Sequence, residues 1–239
     1  MNSRRNFLLK GSFATTALFV AKPFKTIANA VSPITGFSVN DDKVTIVHTG
    51  NYATANQAQT LKHIKDLKNN TGNLLHFHVG HPVKCNGPEM NYDVSLELSN
   101  GSILTNNYKV IYKGNIKIGV ITATANGRDT VADINTLAVY LKQVKNCNIV
   151  VCLSSLGYRN KNSVDDLGLA ANSTHLDIIL GGHTDNFCKE PYIALNKNQE
   201  EVIINHGAGS LPELGKIAID FDRFGKKRNL AFNNNVQFN

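Results

Sequence analysis

The chain has 239 residues, of which 42% are hydrophobic and 18% charged, and its formal net charge is +7. Five of its 25 basic residues and none of its 18 acidic residues lie in residues 1–30, so the remaining 209 residues carry a net charge of only +2. A basic nucleic-acid-binding surface is therefore not expected. These 209 residues are enough for one large domain with a hydrophobic core.

The first thirty residues predict an export signal. Paired arginines, Arg4 and Arg5, precede a moderately apolar stretch over residues 11–21, and a small-x-small cleavage motif ends at Ala30. This order is typical of a twin-arginine signal peptide, so we expect a periplasmic or extracellular protein after cleavage near Ala30. The uncharged stretch is shorter than the roughly 20 residues that cross a bilayer, and no membrane span is expected in the mature chain.

After a linker over residues 31–42, apolar runs and helical spacing predict a mixed α/β domain over residues 43–224. Strands are predicted at Lys43–Thr49, Asn73–Val79, Tyr108–Tyr112, Ile116–Thr122, Asn148–Ser154 and Leu176–Leu180, and helices at Ala55–Asn69, Ala132–Val144 and Val164–Ala171. A closing run of antiparallel strands is predicted around Ile193, at Glu201–Asn205 and at Lys216–Phe221. Residues 225–239 are polar and predict a loosely held tail.

Four cysteines would enter an oxidising compartment after export. Cys147 and Cys152 flank one predicted strand at an odd separation, which points them to opposite faces and disfavours a bridge between them. Cys85 and Cys188 each follow a strand-end glycine, which leaves a bridge between them open. We expect buried free thiols, and no cysteine spacing is typical of a zinc site.

One strand end carries side chains that bind metals in many proteins. The apolar run Ile178–Leu180 stops at two glycines and is followed by His183 and Asp185. Open α/β sheets bind their ligands at such carboxyl ends. By itself, however, the spacing is also typical of a glycine turn with a surface histidine.

Taken together, the strand ends resemble the metal-binding blocks of the calcineurin-like metallophosphoesterases, and most closely the catalytic domain of secreted bacterial 5'-nucleotidases. The resemblance covers roughly residues 43–222. It is carried in order by Val47-His48-Thr49-Gly50-Asn51, Leu75-His76-Phe77-His78-Val79-Gly80-His81, Val151-Cys152-Leu153-Ser154-Ser155-Leu156-Gly157-Tyr158 and Leu180-Gly181-Gly182-His183-Thr184-Asp185. It implies a four-layer αββα sandwich with two mixed sheets, a dinuclear metal centre at their shared edge, and hydrolysis of phosphate esters.

The chain departs from the family at almost every implied ligand. Asn51 and Ala53 replace an aspartate and a histidine, His81 replaces the bridging aspartate, and Ser155 replaces a histidine. In the last block His183 is kept, while Asp185 stands in place of the second histidine. The Gly-Asn-His-Glu block, which supplies the histidine that protonates the leaving group, is missing. Asp185 is then the sole anionic group at the implied ligand positions, against the +4 of two divalent cations.

The resemblance therefore implies a pseudoenzyme that acts as a binding or scaffolding module. The alternative is a residual nucleotide or phosphate-ester hydrolase with one divalent metal, zinc or manganese, at His183, Asp185, His81 and Asn51. A polar, metal-free pocket is the competing interpretation of those four residues. His206 is a candidate for substrate binding, although a plain surface turn explains it equally well.

The sequence also gives expectations for four further side chains and for one partner protein. His76 and His78 are expected to be partly buried hydrogen-bonding residues, and Asp165 and Asp166 to lie in the first turn of a helix without a catalytic role. In the family a C-terminal domain recognises the nucleoside. The resemblance implies that a separately encoded domain of this kind is a possible partner.

Overall fold

The computed structural model describes residues 43–50, 57–80, 92–97, 101–102, 108–124, 131–160, 163–182, 190–207 and 214–233. These residues form an α/β fold in which two six-stranded sheets lie between layers of helices. The predicted fold class is confirmed. Within the described ranges, no helix is long and apolar enough to cross a bilayer.

The first sheet, sheet A, has the strand order β12-β11-β1-β2-β3-β4. Neighbours are parallel from β1 to β3 and antiparallel elsewhere. Its strands are β1 (Lys43–Thr49), β2 (Leu74–Gly80), β3 (Val94–Glu97), β4 (Gly101–Ser102), β11 (Gly215–Phe221) and β12 (Lys227–Asn233).

The second sheet, sheet B, has the strand order β5-β6-β7-β8-β10-β9. The four central strands run parallel, and the outer strands β5 and β9 run antiparallel to their neighbours. Its strands are β5 (Tyr108–Lys113), β6 (Ile116–Ala123), β7 (Ile149–Ser154), β8 (Ile178–Gly181), β9 (Tyr192–Leu195) and β10 (Glu201–His206).

Helices in the described part of the chain cover the outer faces of the sheets. Helix α1 (Gln57–Asn70) buries Ile64 against sheet A, whereas α2 (Val131–Val139) and α3 (Asp166–Asn172) pack on sheet B. A five-residue π-helical turn at Tyr140–Val144 continues α2 and completes the helix predicted there. Helices and sheets thus stack as the four layers that the resemblance implies.

The main core lies between the two sheets and follows from the two-residue period of the strands. Val44 and Ile46 of β1 and the odd-numbered residues Ile149 to Leu153 of β7 point inward and are fully buried. The alternate residues of sheet B, such as Val150 and Cys152, pack outward under the helices. Both faces of the central strands are therefore apolar, as expected for parallel strands covered on both sides.

The end of the chain differs from the sequence prediction. Residues from Gly225 onward are polar enough to predict a tail, but Lys227–Asn233 form β12, which pairs with β11. The predicted antiparallel run is only partly correct, because β10 is parallel to β8 and β11 belongs to the other sheet. β12 forms a short hairpin with the preceding strand, β11, whereas β10 and β11 each pair with a strand that is not next to them in the chain. Local composition encodes neither kind of pairing.

The cysteine predictions have different outcomes. Cys147 and Cys152 are buried free thiols, as expected, but both pack into the core between sheet B and its helices. The expectation that they point to opposite faces is wrong, because Cys147 lies outside β7 and does not follow its alternation. Cys85 and Cys188 lie outside the described residues.

Candidate functional site at the carboxyl ends of the strands

The two sheets meet at the carboxyl ends of their parallel strands, where glycines allow very close contact. A Cβ added to Gly182 would collide with the carbonyl oxygen of Val79 and lie 3.1 Å from the Cα of Gly50. A Cβ on Gly207 would lie 2.9 Å from the backbone nitrogen of Gly50. Glycine is needed at both positions because backbone from the other sheet occupies the space of a side chain. This shared edge is the site where the family blocks converge.

Most of the predicted ligand positions fall outside the part of the chain that is described. Asn51, His81, His183 and Asp185 are in this group, so their prediction as a metal site stays a prediction. Ser155 and His206 are described, and both are buried at the shared edge. The surface-turn interpretation of His206 is therefore wrong.

In sheet A, one hydroxyl group holds two histidines. The Oγ1 atom of Thr49 lies 3.0 Å from Nε2 of His76 and 3.2 Å from Nδ1 of His78, and it donates to the carbonyl of Phe77 at 3.3 Å. A hydroxyl donates only one hydrogen bond. All three contacts are satisfied together when both imidazoles donate to Thr49, which each ring can do as a neutral tautomer.

An aromatic ring packs against these two histidines. The ring of Tyr92 stacks on His78, with centroids 4.7 Å apart, and lies 4.9 Å from the ring of His76. Burial, helped by the positive charge of Lys68 and by His78, lowers the pKa of His76 to about 3. His76 is therefore uncharged at neutral pH, in agreement with the hydrogen-bonding role that the sequence predicts, although burial is complete rather than partial.

A third histidine, His48, lies on the opposite face of sheet A. It follows the inward-facing Val44 and Ile46 at the same period, so its ring points between the sheets. It is fully buried, and neither ring nitrogen has a hydrogen-bond partner among the described residues. The pKa of His48 is lowered to about 3, mainly by burial. The neighbouring histidines, His206 most of all, also contribute to this shift.

Sheet B presents a different arrangement, in which a carboxylate holds the histidine. Nε2 of His206, at the end of β10, lies 2.6 Å from Oδ2 of Asp166. The other oxygen, Oδ1, accepts a hydrogen bond from Oγ of Ser154 at the end of β7. All three residues are buried. The contacts hold the His206 ring in one orientation, and its Nδ1 has no hydrogen-bond partner among the described residues.

Helix α3 places Asp166 in this position. Asp165 is its N-cap and accepts a hydrogen bond from the backbone nitrogen of Gly168 at 2.7 Å, so the next residue begins the helix. The backbone nitrogen of Asp166 donates to the carbonyl of Gly157 in the loop after β7. The ring of Tyr158 packs edge-on against His206, with centroids 5.5 Å apart.

The described side chains do not fit a dinuclear metal centre. His76 and His78 point to the outer face of sheet A, whereas His48 points inward and His206 contacts Asp166 beneath α3. Within the described ranges, no three histidine, cysteine, aspartate or glutamate residues come close enough to hold one ion. Two divalent cations need several carboxylates, and Asp166, the described carboxylate at this edge, is already bonded to two neighbours.

Sequence reasoning missed three of the residues that build this edge. Asp166 was expected only as a helix-start residue, and Ser154 and His48 were not singled out as functional candidates. Their signal is weak, because the Asp166–His206 contact joins residues 40 positions apart. The sequence pattern that could have indicated this contact is an aspartate directly after a helix N-cap, followed later in the chain by a histidine at a strand end.

Comparison with known proteins agrees with the architecture. No known family profile and no curated protein sequence matches the chain. The fold is similar to a 5'-nucleotidase precursor from Thermus thermophilus, with 16% identity, a TM-score of 0.58, and coverage of 80% of this chain and 54% of that one. It is also similar to the NAD nucleotidase of Haemophilus influenzae, with 17% identity, a TM-score of 0.57, and coverage of 79% and 49%.

A third solved structure, a putative 5'-nucleotidase from Staphylococcus aureus, gives the same result. Its identity is 11%, its TM-score is 0.56, and the match covers 82% of this chain and 55% of that one. The chain thus spans about half the length of each of these proteins. At such low identity the likeness establishes the fold and not the chemistry. The chain has the metallophosphoesterase-type fold found in these 5'-nucleotidases.

Proposed function

We propose that this protein is an exported 5'-nucleotidase-like module that binds a ligand or scaffolds a partner and does not hydrolyse phosphate esters at a dinuclear metal centre. The observation that carries the proposal is the charge of the shared edge. Its described histidines include two that are held neutral by burial, His48 and His76, and its described carboxylate is bonded to Ser154 and His206. Such an edge offers little negative charge to offset two divalent cations.

The substitutions in the family blocks support the same proposal. Ser155, where the family has a metal-binding histidine, is buried, and its backbone nitrogen donates to the carbonyl of Ala123. A serine hydroxyl is a poor ligand for zinc or manganese compared with imidazole. The twin-arginine pattern of residues 1–30 supports export, and a separately encoded nucleoside-binding domain is the partner that we propose.

Metal content and turnover test this proposal together. The purified protein is analysed for zinc and manganese, and then assayed with a nucleoside 5'-monophosphate in the presence of each added metal. We expect substoichiometric metal and no turnover above that of His183→Ala. Stoichiometric metal together with turnover that His183→Ala abolishes would overturn the proposal. His175→Ala is the matched control, because His175 precedes the amino end of β8 and lies away from the shared edge.

Hydrolysis at a single divalent metal is the second candidate. One observation favours it: three buried ring nitrogens, both of His48 and Nδ1 of His206, have no hydrogen-bond partner among the described residues. Neutral imidazole nitrogens are good zinc ligands. The same assay separates the candidates, and binding of the nucleotide without turnover, measured by titration calorimetry, would support the module.

A further inference from the structure

The sandwich is open at the end where β9 and β12 are the edge strands of their sheets. A slot of about 400 Å³ lies there, between β9 and β10 on one side and β12 on the other. Ile203 lies on its floor and belongs to the core between the sheets. The inter-sheet core therefore reaches the surface at this end.

Apolar side chains on both edge strands are exposed around the slot. Ile193 is 48% exposed and Phe232 is 41% exposed, and both line it together with the partly buried Leu230. Leu195, two residues along β9 from Ile193 and on the same face, is 53% exposed. Exposed apolar side chains on two edge strands beside one slot are typical of a protein interface.

The charges around the slot are divided between the two sheets. Lys227 and Arg228 of β12 lie on the sheet A side, and Glu201 of β10 lies on the sheet B side. Arg228 and Glu201 have no ion pair among the described residues, whereas Lys227 contacts Asp177 at 3.9 Å. A partner that fits this rim must present a negative charge opposite Arg228 and a positive charge opposite Glu201.

A second copy of the chain, turned by a two-fold axis through the slot, has this pattern of charges. We infer that the open end of the sandwich is a dimerisation surface on which sheet A of one copy meets sheet B of the other. Arg228 of each copy then faces Glu201 of its partner, and the pair forms twice. The apolar residues of the two slots cover one another. Pairing of β12 with β12 is disfavoured, because it would place like charges together.

Sedimentation velocity of the purified protein over a wide concentration range tests the inference. We expect a monomer–dimer equilibrium in which high salt weakens the dimer. The Debye screening length falls from about 10 Å at about 0.1 M salt to about 3 Å at about 1 M, so the ion pairs contribute less. Phe232→Asp should raise the dimer dissociation constant about tenfold or more. A protein that is monomeric at all concentrations would overturn the inference.

Charge reversal provides a test that does not depend on the stability of the apolar variant. Arg228→Glu and Glu201→Arg should each weaken the dimer about tenfold, and the double variant should restore it, because the pairs are re-formed with opposite polarity. Lys62→Glu, on the exposed side of α1, is the matched control and should have no effect. Single reversals that match this control, or a double variant weaker than either single one, would contradict the two-fold arrangement. The result does not depend on the proposed function of the shared edge.

Discussion

The two sheets bring histidines to the same edge of the sandwich but hold them in different ways. In sheet A, His76 and His78 share the neutral hydroxyl of Thr49 and lie against Tyr92. In sheet B, His206 is bonded to the carboxylate of Asp166, which is itself fixed by Ser154. The first arrangement satisfies buried polar groups and keeps the fold. The second leaves Nδ1 of His206 without a hydrogen-bond partner among the described residues, and both ring nitrogens of His48 in sheet A are in the same state. His206 and His48 are therefore the better candidates for binding chemistry.

The largest effect is expected from removing the carboxylate of sheet B. Asp166→Ala leaves both His206 and Ser154 without their buried partner, so we expect a loss of about 3 to 5 kcal/mol in the free energy of unfolding. Urea unfolding measures it. The double variant Asp166→Ala/His206→Ala should cost less than the sum of the two single variants. Additive costs would show that the two side chains are not coupled.

Acid should act on two buried histidines of sheet A. The pKa of His48 and of His76 is about 3 in the folded protein, against an ordinary value of 6.5. The unfolded chain therefore binds protons that the folded protein excludes, and stability falls as the pH drops from about 6.5 towards 3. Between pH 7 and pH 5 we expect a loss of about 2 kcal/mol per histidine.

Thermal unfolding as a function of pH measures this effect. His48→Gln removes one titrating group and should flatten the decline by about half. If stability declines equally steeply in the variant, a group other than His48 causes the acid sensitivity.

The close approach of the two sheets can be tested at a single glycine. Gly182→Ala places a Cβ against the carbonyl of Val79, so we expect a destabilisation of about 1 to 3 kcal/mol as the sheets move apart. Gly72→Ala is the matched control, because no heavy atom lies within 4 Å of its added Cβ. Equal stability of the two variants in urea would contradict the described contact between the sheets.

The smallest expected effect concerns the hydroxyl of sheet A. Thr49→Val keeps the shape of the side chain but removes the acceptor shared by His76 and His78, and should cost about 1 to 2 kcal/mol. Thr136→Val, which removes an exposed hydroxyl bonded to the carbonyl of Ala132, should change stability by less than about 0.5 kcal/mol. Urea unfolding compares the two. A cost at Thr49 no greater than at Thr136 would mean that the histidines do not depend on this hydroxyl.

Much of the fold could be predicted from the sequence because the central strands are short apolar runs. The prediction of β1 is correct at both ends, and the bounds of β5, β6 and β7 are within one residue. The short strands β3 and β4 were missed, as was β12. Their sequences carry too few apolar residues to indicate a strand. Hydrogen bonds to neighbouring strands, which the local pattern does not show, stabilise them.

The site was less predictable. The family blocks correctly indicated the edge at which the strands converge, and they named His206 as a candidate. They did not indicate that β10 runs beside β8, or that α3 turns Asp166 towards His206. The face on which each histidine lies depends on the register of its strand. A shift of one residue would exchange the environments of His48 and Thr49.

The sequence by itself determined the central strands, the helices and the glycines at the strand ends, because these are properties of local pattern and residue type. Only the tertiary structure decided that the histidines separate onto different faces, that Asp166 is engaged by Ser154 and His206, and that two edge strands leave an open slot. Those features depend on contacts between residues distant in the chain. The free energy of burial and hydrogen bonding across the whole fold selects such contacts.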